Sequence, residues 1–307
     1  MRKIKLGKSN LEVPVIAVGC MRMNRLEKKA IESFIRNAID LGANFFDHAD
    51  IYGRSACEEV FAEGFAAIGG RREDIILQTK CGIVPGRMYD FSKEHIVSSV
   101  EGSLRRLKTD YIDILLLHRP DALMEPEEVA EAFEALHSAG KVRNFGVSNQ
   151  NPGQMRLLQK YIKYPIVADQ LQLSITNATM ITQGIHVNRV GDEYSVSRDV
   201  GVLDFCRLED ITIQPWSPFQ YGIIEGVFIG SPKYPELNKK LTEMAQKYGV
   251  SETTITVAWL LRHPAKMQPV TGTMNEGRLA DCAKAADVTL SREDWYALLL
   301  SAGSDLP

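Results

Sequence analysis

The chain has 307 residues, 45% of them hydrophobic and 24% charged, a balance that excludes disordered and fibrous classes. A net charge of -3 gives no global attraction to nucleic acid or an anionic membrane, and no apolar run reaches the roughly 20 residues needed to span a bilayer. The five cysteines, Cys20, Cys57, Cys81, Cys206 and Cys282, form no CxxC pair and are odd in number, so reduced thiols in a cytoplasmic protein are expected.

Short apolar runs alternate with longer amphipathic segments, the pattern of a parallel sheet with helical crossovers. The stretch Met1–Gly7 lacks a long apolar core and is not read as a signal peptide. Predicted inner strands are Val15–Gly19, Asn44–Asp47, Ile75–Lys80, Ile112–His118, Asn144–Val147, Val167–Gln170, Thr212–Pro215 and Gln268–Val270. Helical patterns fall between or after them at Lys28–Leu41, Cys57–Ala67, Lys93–Leu107, Glu127–Ala139, Pro152–Lys160, Val200–Arg207, Glu236–Tyr248, Glu252–Arg262, Glu276–Ala286 and Arg292–Ser301. Ser92, Ser251 and Ser291 each precede a charged first turn and suit N-caps, while Gly42 and Gly140 suit helix ends.

Two stretches depart from a minimal repeat. Ser174–Asp199 is polar, carries Gly184 and Gly191, has no clear period and reads as a long loop after strand six. Phe219–Pro235, rich in glycine, proline and aromatics, reads as a second mobile loop after strand seven. A doubly wound open sheet is the rival fold, but Cys20-Met21-Arg22-Met23 follows Val18-Gly19 where that fold would carry a GxGxxG turn. The predicted architecture is therefore one domain, residues 1–307, an α/β (β/α)8 TIM barrel with an N-terminal β-hairpin and long loops after strands six and seven.

In such a barrel the carboxyl ends of all strands open on one face, where catalysis sits. Asp47 ends the second run, Lys80 the third and His118 the fourth, and Tyr52 stands five residues past Asp47, before Gly53. Converging there, the four can make one proton-transfer site, in which a phenol can donate a proton. A free phenol has a pKa of about 10, which a neighbouring ammonium, Lys80, would lower. A buried lysine needs a carboxylate to stay charged, and Asp47 suits that task. His118 can supply a hydrogen bond to a bound group there. His48 and Asp50 flank Asp47, but strand neighbours point to opposite sides, so no metal site is expected. Arg119-Pro120-Asp121 reads as a turn with Asp121 as a cap, the alternative being that Arg119 lines the mouth of the site and attracts an anionic substrate; Arg22 reads as facing solvent, the alternative being the substrate.

With FFDHADIYG, ILQTKCG, LLLHRPD and the strand-five signature Gly146-Val147-Ser148-Asn149 in order, the chain resembles the aldo-keto reductase family over nearly its whole length. The form of these motifs resembles a bacterial general-oxidoreductase branch with a short C-terminus. The resemblance implies direct hydride transfer from NADPH to aldehydes or ketones, with Asp47, Tyr52, Lys80 and His118 catalytic. It implies NADP(H) contacts from Gly19, Cys20, Met21, Asp47, Ser148, Asn149, Gln170, Trp216 and Ser217 at the nicotinamide and pyrophosphate. Thr273, Asn275 and Arg278 are implied at the 2′-phosphate, and Asp281 at the adenine. Gly272 and Cys282 depart from residues common in the family, a basic side chain and an asparagine, which implies a modest NADPH preference. No aromatic follows the first strand and the chain stops at Pro307, so an open pocket for small aldehydes and diketones is expected. Methionines near Met21 offer an adaptable wall. The expected partner is a small-molecule carbonyl substrate, with no nucleic acid or membrane, and a monomer. The alternative is an NADP-binding regulatory or scaffold subunit without significant turnover.

Overall fold

The protein is described here from a computed structural model, which covers residues 1–189 and 193–306. An antiparallel hairpin opens the chain, β1 (Lys3–Lys5) pairing with β2 (Glu12–Pro14). Then come β3 (Ala17–Gly19), α1 (Lys28–Asp40), β4 (Phe45–Asp47), α2 (Ala56–Ala67) and β5 (Ile76–Cys81). A short hairpin, β6 (Ile83–Val84) with β7 (Met88–Tyr89), precedes α3 (Lys93–Leu107), β8 (Ile112–Leu117), α4 (Pro126–Ser138), β9 (Val142–Ser148), α5 (Pro152–Gln159) and β10 (Ile166–Gln172). The chain continues through α6 (Thr179–Ile185), α7 (Val202–Leu208), β11 (Thr212–Trp216), and a third hairpin of β12 (Gln220–Tyr221) and β13 (Gly226–Val227). It ends with α8 (Pro235–Tyr248), α9 (Glu252–Arg262), β14 (Val270–Thr271), α10 (Glu276–Lys284) and α11 (Arg292–Ser301).

Eight parallel strands form one sheet in the order β11-β10-β9-β8-β5-β4-β3-β14. The Gln268 N–H, just ahead of β14, donates to the Ile213 carbonyl of β11 at 3.0 Å and draws the two edges together. Closure removes the free edges that an open sheet would expose. Alternation along the strands divides the core. Ala17, Phe45, Ile114, Leu116, Ala168 and Val270 pack together with Leu6 and Val13 of the N-terminal hairpin, so the hairpin closes one end of the barrel interior. Larger apolar clusters fill the space between strands and helices. Gly7 turns the hairpin at φ +49, where a Cβ would lie 2.3 Å from the Val167 carbonyl oxygen, so only glycine fits this close approach.

The expected caps are present: Ser92, Ser251 and Ser291 accept hydrogen bonds from the backbone of His95, Thr254 and Asp294. The outer layer is pinned by Trp259 of α9 and Trp295 of α11. Their rings stack at 4.9 Å, and each indole N–H donates to the other's carbonyl.

Two expectations need correction. Residues 174–199 are not one long loop, because α6 forms within them and a 3-10 turn follows at Glu193–Ser195. α6 is only seven residues and has no side-chain cap, so no start signal marks it. Burial of Met180, Ile181 and Thr182 holds it in place. Gly191, on which the loop reading partly rested, lies outside the described residues. The stretch after strand seven is likewise anchored: it holds the β12–β13 hairpin and buries Phe228 completely. Asn238 of α8 donates to the carbonyls of Phe228, Ser231 and Tyr234.

Candidate active site

A cavity of about 1000 Å³ opens at the carboxyl ends of the strands, bordered by the turns after β3, β4, β5, β8, β11 and β14. That is the upper end of the usual range for ligand sites, enough for a dinucleotide with a small substrate. Asp47, Tyr52 and His118 line it, with Ile51, Ile83 and Trp216 near them.

Asp47 ends β4 and Lys80 stands near the end of β5, both pointing into the barrel. Lys80 Nζ is fully buried and donates to Asp47 Oδ2 at 2.8 Å, to the His48 carbonyl at 2.8 Å and to the Tyr52 hydroxyl at 3.0 Å. Burial alone would lower the lysine's pKa. Asp47 and Tyr52 outweigh it and hold Lys80 above the usual lysine value, hence charged. Lys80 thus reaches Tyr52 from behind the cavity wall. Tyr52 sits in a tight turn, and Gly53 after it has φ +59 with no room for a Cβ beside Asn24 and Cys57. The phenol departs from expectation. Burial pushes its pKa above the ordinary value, with Asp47 adding to the rise and Lys80 only opposing it. Tyr52 is therefore held protonated. The His118 ring meets Tyr52 edge-on at 5.9 Å. Burial, then Lys80 and Arg119, pushes its pKa well down, so the imidazole is neutral. A neutral ring can donate one hydrogen bond but has no spare proton to lose.

His48 turns away from this group, as strand alternation requires, and packs edge-on against Phe61 at 4.7 Å. Among the described residues no three His, Cys, Asp or Glu side chains cluster as metal ligands would.

Three inward-facing glutamines, Gln78, Gln214 and Gln268, escaped the sequence reading and join Gln170 in one chain. Gln78 donates to Asp47 Oδ1 at 2.6 Å, and Gln170 to the same oxygen at 3.0 Å. Gln78 and Gln214 exchange hydrogen bonds at 2.9 and 3.1 Å. Gln214 donates on to Gln268 at 2.8 Å, and Gln268 to the Pro14 carbonyl at 2.7 Å. This buried amide chain links the N-terminal hairpin to Asp47. It supplies Oδ1 with two donors and leaves Oδ2 for Lys80. Its only trace in the sequence is one polar residue inside otherwise apolar strands, as in Ile75-Ile76-Leu77-Gln78.

The residues expected at a nicotinamide fall into two groups. Gly19, Met21, Ser148, Asn149, Gln170, Trp216 and Ser217 line the cavity. Trp216 belongs to the wall, not the core, and its indole N–H donates to Asn149 Oδ1 at 3.1 Å. Asn149 Nδ2 in turn donates to Ser148 Oγ, which donates to the Gln170 carbonyl. Both amide hydrogens of Gln170 serve Asp47 and Gln214, so only its Oε1 remains for a ligand. Cys20, by contrast, is buried with its thiol on the Val18 carbonyl, so its side chain is not part of the wall.

At the far end, Thr273, Asn275 and Arg278 border the cavity around the N-terminus of α10. Asn275 caps that helix by accepting from the Arg278 N–H at 2.9 Å. A helix N-terminus beside an arginine suits a phosphate. Asp281 does not reach the cavity wall and pairs with Lys284 at 3.1 Å, so the adenine contact expected of it is not supported. Cys282, on the wall, has its thiol pushed up to about 12 by burial and Asp281. Arg22 was expected to face solvent. It lines the cavity and donates to the Gly272 carbonyl at 3.1 Å, and its Nη1 lies 3.1 Å from where a Gly272 Cβ would stand. A side chain at position 272 would crowd the guanidinium there now.

Residues 15–299 match the model of the Aldo/keto reductase family. The chain belongs to the aldo/keto reductase family. It is thus an oxidoreductase built on a nicotinamide-dependent barrel. It is 36% identical to an uncharacterised oxidoreductase, YcsN, of Bacillus subtilis, with all of both chains aligned. It is 34% identical to a 6-dehydroglucose reductase of Agrobacterium fabrum over 97% of each chain. Among solved structures, the thermostable aldo-keto reductase Tm1743 in complex with the inhibitor epalrestat matches with a TM-score of 0.77. That match has 26% identity and covers 99% of this chain and 100% of the other.

Proposed function

We propose that the protein reduces aldehydes or ketones to alcohols with NADPH, and that Tyr52 is the general acid. The observation that carries this reading is Lys80 Nζ, held behind the cavity wall between Asp47 Oδ2 and the Tyr52 hydroxyl. NADPH, when bound, supplies the hydride. Tyr52 donates its phenolic proton to the oxygen that becomes the alcohol, and Lys80 stabilises the phenolate left behind. Asp47, fixed by Gln78 and Gln170, keeps the ammonium charged. His118, kept neutral, donates a hydrogen bond that orients the carbonyl. Trp216 suits a face of the nicotinamide ring, Gln170 Oε1 with Ser148 and Asn149 suits its carboxamide, and Arg278 with the α10 N-terminus suits the 2′-phosphate.

The test is consumption of NADPH with a carbonyl panel (methylglyoxal, a nitrobenzaldehyde and a simple ketone). In Tyr52→Phe we expect a loss of about a hundredfold or more in turnover, with NADPH binding retained by fluorescence titration. Full activity in Tyr52→Phe would overturn the assignment. Binding of NADPH by the wild type with no turnover of any carbonyl would move the reading to a regulatory subunit.

A further inference from the structure

We infer that the preferred substrate is an anionic carbonyl compound, with a carboxylate, sulfonate or phosphate bound by Arg119 close to the reacting carbonyl; this rests on the reductase reading above. The described cavity wall carries four arginines, Arg22, Arg25, Arg119 and Arg278, against one carboxylate, Asp47. That carboxylate is already committed to Lys80, Gln78 and Gln170. Arg22 and Arg278 lie at the end formed by Gly272, Thr273 and the α10 N-terminus. Arg119 lies at the other end, next to His118, with its guanidinium 5.7 Å from the centre of the Trp216 ring. Among the described residues it has no ion-pair partner. Asp121, two residues on, is occupied by the backbone N–H groups of Phe91 and Leu123.

A half-buried guanidinium without a counterion is held at a cost that a bound anion would offset. The guanidinium lies within cation–π range of Trp216, and its planar fork can take two oxygens of one acid group. The cavity wall also carries apolar Ile51, Ile83 and Phe219. The same charge helps to keep His118 neutral. Arg119 thereby couples an anion subsite to the group that orients the carbonyl.

The test compares matched substrates with saturating NADPH: 4-formylbenzoate, 4-formylbenzenesulfonate, glyoxylate, and the neutral methyl ester of 4-formylbenzoate. Wild type, Arg119→Gln and Arg119→Lys are run together, each with a thermal melt and an NADPH titration. We expect kcat/KM for the anions to exceed that for the ester by about tenfold or more in the wild type. In Arg119→Gln that ratio should collapse towards one, and Arg119→Lys should recover part of it. Raised salt should reduce the preference. The three anions separate carboxylate from sulfonate and aromatic from short-chain acids. A wild-type ratio near one, or a ratio unchanged in Arg119→Gln, would overturn the inference. So would an equal loss for anion and ester with weakened NADPH binding, which would assign Arg119 to the cofactor. Calorimetric binding of the product 4-(hydroxymethyl)benzoate to the NADP complex reads the subsite without turnover. Arg119-dependent binding with no reduction of any carbonyl would retain the subsite and sink the reductase reading. Absence of that binding would overturn the subsite.

Discussion

At the scale of residues, Tyr52 is governed by two opposing effects. Charge attraction from Lys80 favours the phenolate, while burial and Asp47 favour the phenol, and burial leads. Motif reasoning sees the lysine and expects a lowered pKa, because burial depth is not written in the motif. The consequence is directional. Reduction needs the protonated phenol, so its rate should stay level through neutral pH and fall only as pH rises past the ordinary phenol value of about 10. Alcohol oxidation should gain over the same rise. A pH profile of kcat in both directions checks this, and a reduction limb falling near neutrality would contradict it. Arg278 makes a second prediction at this scale. It stands at the helix end where a 2′-phosphate would bind, while Gly272 offers no basic side chain. Arg278→Gln should weaken NADPH binding by about tenfold and NADH binding little, as read by fluorescence titration.

At the scale of elements, strand alternation decides which groups meet. Asp47 on β4 lies beside Gln78 on β5, and Gln170 on β10 beside Gln214 on β11, so one inward layer of the barrel is polar. Apolar Phe45, Ile114 and Ala168 pack within the interior with the hairpin. Removing one amide from the chain strands its partners. Gln78→Leu should cost about 2–4 kcal/mol of stability, since a donor to Asp47 and two bonds with Gln214 are lost in a site that water cannot reach. Urea denaturation measures this; an unchanged midpoint would mean that the chain re-forms around the gap. α6 teaches the opposite lesson. Its helix exists because Met180 and Ile181 find a buried surface, and neither cap nor period reveals it.

At the scale of the whole molecule, the barrel also buries groups that do no visible chemistry. Asp50 is buried with one oxygen unpartnered. Burial and then Glu58 push its pKa up to about 7, against the opposing pull of Arg106. The folded protein then keeps a proton that the unfolded chain releases above about pH 4. Stability from this group is present at low pH and declines as pH rises from about 4 to about 7. Asp50→Asn should therefore raise the melting temperature by a few degrees at pH 8 and less at pH 5. A gain that does not grow with pH would refute this account.

Much of the architecture was legible because it rests on local rules. Apolar runs of strand length, amphipathic crossovers and serine caps depend on neighbours in sequence, and they marked the barrel and the ends where Asp47, Lys80 and His118 stand. Of the residues expected around a cofactor, those on strand ends line the cavity. Cys20 and Asp281 miss it because their side chains turn to the core and to Lys284. What the sequence could not decide were the effects of distance and depth. Arg22 meets Gly272 across 250 positions, and Gln78 meets Gln214 across 136. The pKa of Tyr52 is raised by burial that the closed barrel alone creates. Such effects depend on which atoms exclude water around a group, and that is set only when the strands close into a ring.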